Sequence, residues 1–471
     1  MQMDNFTTLV QSVNSLLWGM YCLIPLLVGT GIYLTIKLRF IQIRRFGDAF
    51  RQVFGGFSLF GSKAGKDGMS SFQSLATAIS AQVGTGNLAG VATAIAMGGP
   101  GAIFWMWLAA FFGMATIFSE AVLAQIFRAR DAHGQIMGGP AFYISRGLNN
   151  KPLAAFFAVS IIIALGFIGN MVQANSIADS VYTAFSVPQW ATGIFVFAIA
   201  GFIFIGGVRR IASFAEKMVP LMALVYIVGS LTIIFANWDM IIPAFKSIFV
   251  GAFDPTAATG GIIGASLKEA IRYGVARGLF SNEAGMGSTP HAHALANVKN
   301  PHEQGTVAII GVFIDMFIIL TLNALVIIST LYTEGGPLHG CGAAAAQDVL
   351  KKTNLAQTAF GVVFGESAGA MFVAVCLFFF AFSTVLSWNL FGKINAIWLF
   401  GRKNPKVCSV VYTVIALVFI LLGTMMSNDL VWELSDMFNN LMVIPNAIAL
   451  FALTGLVVKH VNGTPEADRW E

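Results

Sequence analysis

The sequence predicts an all-α polytopic membrane protein of eleven transmembrane helices, one extra N-terminal helix followed by a 5+5 inverted repeat. Three observations carry that prediction. Of the 471 residues, 57% are hydrophobic and 10% are charged, against roughly 25% charged in an ordinary soluble domain. The apolar residues fall in continuous runs of about twenty, the length that crosses a bilayer as a helix, and not in the short alternating segments of a membrane barrel. The basic residues gather in alternate loops between those runs, as they do in cytoplasmic loops. Membrane topology thus accounts for the formal net charge of +5, and no nucleic-acid partner is expected.

The runs lie near 15–36, 72–97, 101–127, 153–183, 188–206, 214–236, 262–290, 304–332, 358–390, 407–426 and 430–458. The first is long enough to remain as a span, and a start with Asp4 and no basic segment does not read as a cleavable signal. The long basic loop that follows contains Ile41–Phe54, whose amphipathic spacing suits the membrane surface. Span and loop make an N-terminal unit, 1–71. Spans two to six form a five-helix set over 72–236, an external connector covers 237–261, spans seven to eleven form a second set over 262–458, and 459–471 is a cytoplasmic tail. Because five is odd, the second set enters the membrane from the opposite side, the condition for an inverted repeat. No clear residue-level similarity relates the two sets. The loops 37–71, 128–152, 207–217 and 391–406 and the tail hold most of the 27 Lys and Arg residues. The facing loops hold only Lys246, Lys351 and Lys352, which places the N-terminus outside and the C-terminus in the cytoplasm of a cell whose inner membrane the chain crosses. The external loop 333–358 reads equally as a short helix over the pore mouth or as a plain connector.

The second run is interrupted at its middle by Gly84-Thr-Gly-Asn87. Glycines weaken a helix where water is absent, so the break is expected to face a cavity or a bound solute. The half-helix ends offer free N–H groups to a carboxylate and free carbonyls to a small cation, and Thr85 and Asn87 add side-chain hydrogen bonds. On the predicted orientation the carboxylate belongs near Gly86–Leu88 and the cation near Ala81–Gly84. A packing notch, Gly86-xxx-Gly90, is the competing reading. The seventh run is interrupted in turn, within Gly278–Pro290, and paired breaks at equivalent positions of two halves point to a transporter's binding site.

Ser281, Asn282 and Glu283 in the seventh run are costly in lipid and are expected to face a polar cavity. Glu283 reads as a cation or proton ligand, or as the partner of Arg277. Glu120, Asp179 and Asp315, within or beside apolar runs, are functional candidates or buried structural partners. Gln173 and Asn175 in the fourth run suit a zwitterion or helix-to-helix hydrogen bonds. In the ninth run, Ser383 and Thr384 are placed to complete an oxygen shell for Na⁺, although such hydroxyls also bond their own backbone. Trp388, one turn on, is placed to wall a small pocket. His291 and His293 lack a third ligand for a metal, and Cys22, Cys341, Cys376 and Cys408 show no metal or disulfide spacing. No catalytic motif stands out, so no enzyme is expected.

Four stretches, Gly84-Thr-Gly-Asn-Leu-Ala-Gly-Val-Ala-Thr-Ala-Ile95, Gly98-Gly-Pro-Gly-Ala-Ile-Phe-Trp-Met-Trp107, Gly138-Gly-Pro-Ala-Phe-Tyr143 and Gly278–Pro290, resemble the alanine or glycine:cation symporter family, over nearly the whole chain. The resemblance implies a leucine-transporter-like fold and a secondary transporter moving a small neutral amino acid, alanine or glycine, with Na⁺. It implies substrate contacts from Thr85, Gly86, Asn87, Gln173, Ser281, Gly285, Met286 and Trp388, and a Na⁺ site near Ala81, Gly84, Ser383 and Thr384. The function expected is sodium-coupled import by alternating access, with the lipid bilayer as surroundings, no obligatory protein partner, and no cofactor, Na⁺ serving as the coupling ion. Proton coupling through Glu283 or Asp315 is the alternative, and a channel or non-transporting sensor a more distant one.

Overall fold

The computed structural model describes residues 8–14, 23–55, 68–131, 134–254, 267–338, 352–401, 403–426 and 428–461. Cys22, Cys341, most of the tail and the alanine-rich part of the 333–358 loop lie outside these residues. Among the described residues the regular structure is helical, apart from an antiparallel pair, Ala129–Arg130 with Ile136–Met137, and a single bridge, Met69 to Ala296.

Among the described residues seven helices are long and apolar enough to cross a membrane by themselves: Ala102–Ile126, Lys151–Phe185, Gly207–Ala236, Pro301–Tyr332, Glu366–Phe400, Pro405–Gly423 and Leu430–Val461. Each falls on one of the predicted runs. Of the four other runs, Leu23–Lys37 and Gln189–Ile205 are shorter apolar helices. The remaining two are the interrupted ones, Ser71–Gln82 followed by Gly86–Gly98, and Leu267–Asn282 followed by Pro290–Ala294. Their breaks are what deny them the length of a continuous span.

Local chemistry sets where the helices begin. Ser70 caps Ser71–Gln82 with a reciprocal box, its hydroxyl accepting the Gln73 N–H while the Gln73 side chain accepts the Ser70 N–H, both at 3.1 Å. Asn150 and Asn404 cap the fourth and tenth spans through the N–H groups of Leu153 and Val407, each with proline in the first turn. The Pro405–Gly423 helix turns Val407, Val410, Val411, Val414, Val418 and Leu422 outward and buries Tyr412, Ala416, Ile420 and Gly423. An exposed row this apolar is unfavourable in water and suited to lipid.

Helices of the 72–236 stretch pack on helices of the 262–458 stretch. Val91–Gly98 packs on Leu267–Asn282, Ala102–Ile126 on Pro301–Val312, Asn170–Phe185 on Glu366–Phe400, and Gln189–Ile205 on Pro405–Gly423. The second, third, fourth and fifth spans thus each touch the span five places further along.

Two expectations are corrected. The run 358–390 is not one helix: Gly365, at φ 85°, ends Lys352–Phe364, and a new helix runs from Glu366 to Phe400. The shorter helix packs against the longer one and against Gly86–Gly98, so the described end of that loop is a helix over the second span. The amphipathic stretch Ile41–Phe54 is also divided, into Ile41–Arg44 and Phe46–Phe54. Its second part packs on Pro301–Val312, with the Phe46 and Phe313 ring centroids 4.9 Å apart. Phe50 and Phe54 remain exposed, as a surface helix requires.

Candidate functional site

The first break starts where the Ser71–Gln82 helix runs out at Val83. The Gly84 N–H is taken by the Asn87 side-chain oxygen at 3.0 Å and the Thr85 N–H by Gln173 Oε1 at 3.2 Å. The chain then resumes through a wide π-type turn, Gly86–Gly90, a feature common at functional sites. The ninth span closes over the last turn before the break. Thr384 Oγ1 donates to the Ser80 carbonyl at 2.9 Å and Ser383 Oγ lies 3.4 Å from it, while Ser387 donates to the Thr77 carbonyl at 3.0 Å and bonds the Ser80 hydroxyl. Both hydroxyls also bond their own helix at Phe380, at 2.9 and 3.0 Å, so the expected alternative operates as well. Ala81 is buried in the same turn, but the hydroxyls reach the carbonyl one residue earlier. Gly84 is required by contact: a methyl there would overlap Thr384 Oγ1 and sit 3.3 Å from Gln173 Oε1.

The second break runs from Asn282 to Pro290 and holds three residues in left-handed geometry, Glu283 (φ 57°), Gly285 (φ 88°) and Gly287 (φ 82°). The two breaks are tied together. Ser281 Oγ lies 3.3 and 3.2 Å from the carboxylate oxygens of Asp315, and Asn87 Nδ2 donates to the same carboxylate at 2.6 Å. Gln82 Nε2 donates to the Asn282 carbonyl at 2.8 Å. Gly86 lies against Ser281, with room for a methyl only 3.2 Å from the serine Cα. Trp388 donates its indole N–H to Glu283 at 2.6 Å, stands edge-on to Phe280 and backs onto Gly169, where a methyl would lie 2.7 Å from the ring.

Of the residues expected at the site, Gly84, Thr85, Gly86, Asn87, Gln173, Ser281, Ser383 and Thr384 form one connected group, which Trp388 joins across Phe280 and Glu283. Met286 is buried, its N–H on the Glu283 carbonyl. Gly285 is engaged elsewhere, with Glu120 and Asn446. Thr85 Oγ1, Gln82 Oε1 and Asn282 Nδ2 are buried with no hydrogen-bond partner among the described residues, leaving polar atoms available beside the breaks.

Glu283 does not pair with Arg277, contrary to the pairing that proximity in sequence suggested. Arg277 makes a bidentate pair with Asp436 of the last span, at 2.9 and 2.8 Å, and its guanidinium stacks 5.3 Å from the Trp432 ring. His291 and His293 turn to different partners, Asn395 and Gln304, and among the described residues no group of three or more His, Cys, Asp or Glu is placed to hold a metal. Sequence reasoning missed Asn323, whose side chain donates to the Asn87 carbonyl at 2.6 Å, and the pair Asn446 and Tyr143. A lone asparagine inside an apolar run was the available signal.

The Arg277–Asp436 pair yields a stability prediction. Removing one partner of a buried ion pair leaves an uncompensated charge and costs about 3–5 kcal/mol. Asp436→Ala is expected to lower the thermal unfolding temperature in detergent clearly. Asp48→Ala, which breaks the exposed Arg45–Asp48 pair (side chains 47% and 55% exposed), is expected to leave it unmoved.

The description "Sodium:alanine symporter family" attaches to a sequence profile that matches residues 3–467. The sodium/alanine symporter AgcS of Methanococcus maripaludis is 39% identical over 466 residues, 98% of each chain. In Bacillus subtilis, a putative sodium/proton-dependent alanine carrier, YrbD, is 40% identical over 94% of this chain and 89% of its own. The probable sodium/glutamine symporter GlnT of the same organism is 37% identical over 95% and 88%. Among solved structures, a manganese transporter of Eremococcus coleocola superposes with a TM-score of 0.53, covering 85% of this chain and 82% of its own, and MhsT in complex with L-phenylalanine with 0.51, covering 84% and 99%. Both are 14% identical and speak to fold alone. That fold is the leucine-transporter-like one.

Proposed function

The chain belongs to the sodium:alanine symporter family, a family of cation-coupled amino-acid symporters in the membrane, and from that premise we propose that it imports alanine or glycine together with Na⁺ by alternating access. The observation that carries the proposal is the oxygen set at the first break. The Ser80 carbonyl and the Ser383 and Thr384 hydroxyls, oxygens from two helices, come together beside Gly84, where a methyl would meet Thr384 Oγ1. A hard cation prefers such ligands. A cation shared by the second and ninth spans binds tightly only when those spans are together, which supplies the difference in affinity between states that coupling needs.

The substrate takes the adjoining space. Its carboxylate lies at the start of the Gly86–Gly98 half-helix, where the dipole favours an anion, beside Thr85, Asn87, Gln173 and Ser281. Trp388 and Met286 close the far wall and keep the side chain small. The N-terminus is external and the C-terminus cytoplasmic, so the half before the break faces the cell interior. Na⁺ is cargo, and the mechanism calls for no cofactor.

Labelled alanine uptake into proteoliposomes tests this. An inward Na⁺ gradient is expected to drive accumulation above the external concentration, and replacing Na⁺ by choline at fixed pH is expected to stop it. Uptake that persists in choline and collapses with a proton ionophore would transfer the coupling to protons. That second reading is favoured by Asp315, a buried carboxylate between the two breaks with no basic partner among the described residues.

A further inference from the structure

We propose that Glu120 is a positioning residue for transport: its carboxylate fills the anion-binding pocket of the second helix break from inside the protein and thereby sets where the 283–289 segment presents Glu283 to Trp388. Unwinding that segment turns backbone N–H groups out of helical hydrogen bonding, and at membrane depth they must find acceptors. Left-handed geometry at Glu283, Gly285 and Gly287 aims alternate N–H groups to one side, forming the concave nest that binds anions. Glu120, on the third span and fully buried, sits in that nest. Its Oε2 accepts the Gly285 N–H at 3.1 Å and its Oε1 the Gly287 N–H at 3.0 Å.

The carboxylate is itself held in place. Asn446 of the last span donates to Oε1 at 2.6 Å and to the Gly285 carbonyl at 2.9 Å, and the Tyr143 hydroxyl, on the cytoplasmic helix Pro140–Gly147, donates to the Asn446 side-chain oxygen. Bonds to an ionised acceptor are roughly twice as strong as neutral ones, and here three donors converge on one group. At its other contacts the same segment touches the substrate region: Glu283 takes the Trp388 indole N–H on one oxygen and the Ser288 hydroxyl on the other. Two helix breaks therefore have different states of preparation. The nest of the second is occupied by the protein's own anion, and the substrate carboxylate is left with the first.

This inference rests on the symport reading above, and its test separates the two. Wild-type protein in proteoliposomes first identifies the transported amino acid among alanine, glycine and glutamine, and its half-saturating Na⁺; no Na⁺-dependent uptake of any of them defeats the symport reading and this inference with it. Glu120→Gln keeps the volume, but its single carbonyl oxygen accepts from one glycine N–H while its amide confronts the other. The expected result is a KM for the amino acid about tenfold higher, the loss equivalent to one charge-assisted hydrogen bond, with half-saturating Na⁺ unchanged because the Ser383–Thr384 shell belongs to the other break. Glu120→Asp, which keeps the charge, is expected to recover part of the loss. An unchanged KM, or equal rises in the amino-acid and Na⁺ constants, overturns the proposal while leaving the symport reading standing. Should Glu120→Gln fail to fold, Tyr143→Phe removes only the outermost link; a KM rise of about twofold or more at unchanged Na⁺ dependence supports the proposal, and wild-type KM overturns it.

Discussion

Gly84→Ala is expected to cut transport by about 10²-fold while leaving a folded, membrane-inserted protein. The added methyl would occupy the place of Thr384 Oγ1 and crowd Gln173 Oε1, so the ninth span cannot close on the first break as it does here. Well-packed interiors shift by a few tenths of an ångström at most without cost, and misplacing a reacting or binding group by about 1 Å costs about 10²-fold. Uptake in proteoliposomes is therefore expected to fall by about that factor, with Na⁺ dependence the most affected because Thr384 is the displaced group. Gly90→Ala is the control. It lies six residues along the same segment, where a methyl meets only the Thr85 carbonyl at an ordinary 3.9 Å, and transport close to wild type is expected. Equal losses in both variants would mean that helix flexibility, and not the contact with Thr384, is what the glycines supply.

Much of this site is legible in the chain because polar and glycine residues are expensive at membrane depth. Gly84-Thr-Gly-Asn87 and Gly278–Pro290 stand out against apolar flanks, and their matching positions in two five-helix sets follow from hydropathy and the distribution of lysine and arginine. Hydropathy does not register backbone dihedrals, so the break at Gly365 is hidden among phenylalanines that look the same on either side of it. It also carries no information on long-range partners. Arg277 is six residues from Glu283 in sequence, yet its carboxylate comes from Asp436, 159 residues away. The same limit hides the attachment of Gly285 to Glu120: a glycine in a polar stretch reads as a ligand's neighbour, and only the left-handed backbone shows which way its N–H points.

The two breaks are prepared for different work. At the second, Glu120, Asn446 and Tyr143 satisfy the freed backbone, and Glu283 and Ser288 tie the segment to Trp388. At the first, the freed groups are met by neutral side chains, Asn87, Gln173, Ser383 and Thr384, which exchange partners at little electrostatic cost. On the proposed symport, binding and releasing cargo in each cycle calls for the neutral, exchangeable partners of the first break, and a pivot that keeps its shape calls for the charged, fully bonded surroundings of the second.

Asp315 is the exception at the first break, and Asp315→Asn is the variant with the other large expected effect. The carboxylate takes the Asn87 amide on one oxygen and the Ser281 hydroxyl across both, and among the described residues it has no basic partner. A charge at mid-span is worth about 3 kcal/mol or more against lipid-like surroundings, and neutral hydrogen bonds offset only part of it. On the proposed symport, the rest is expected to be matched by a cation that arrives with the cargo: Na⁺, a proton or the substrate's ammonium. Asparagine keeps the shape and one acceptor oxygen for Asn87, and its amide can donate to the Ser281 hydroxyl, so the variant removes charge with little change in packing. Apparent stability in detergent without substrate is expected to hold or rise, since an unpartnered buried charge has gone. Concentrative uptake is expected to fall by about 10²-fold, the factor that corresponds to roughly 3 kcal/mol. Wild-type accumulation by Asp315→Asn with its Na⁺ dependence intact would show that the carboxylate serves only to join Asn87 to Ser281, and would remove the ground for proton coupling at this residue.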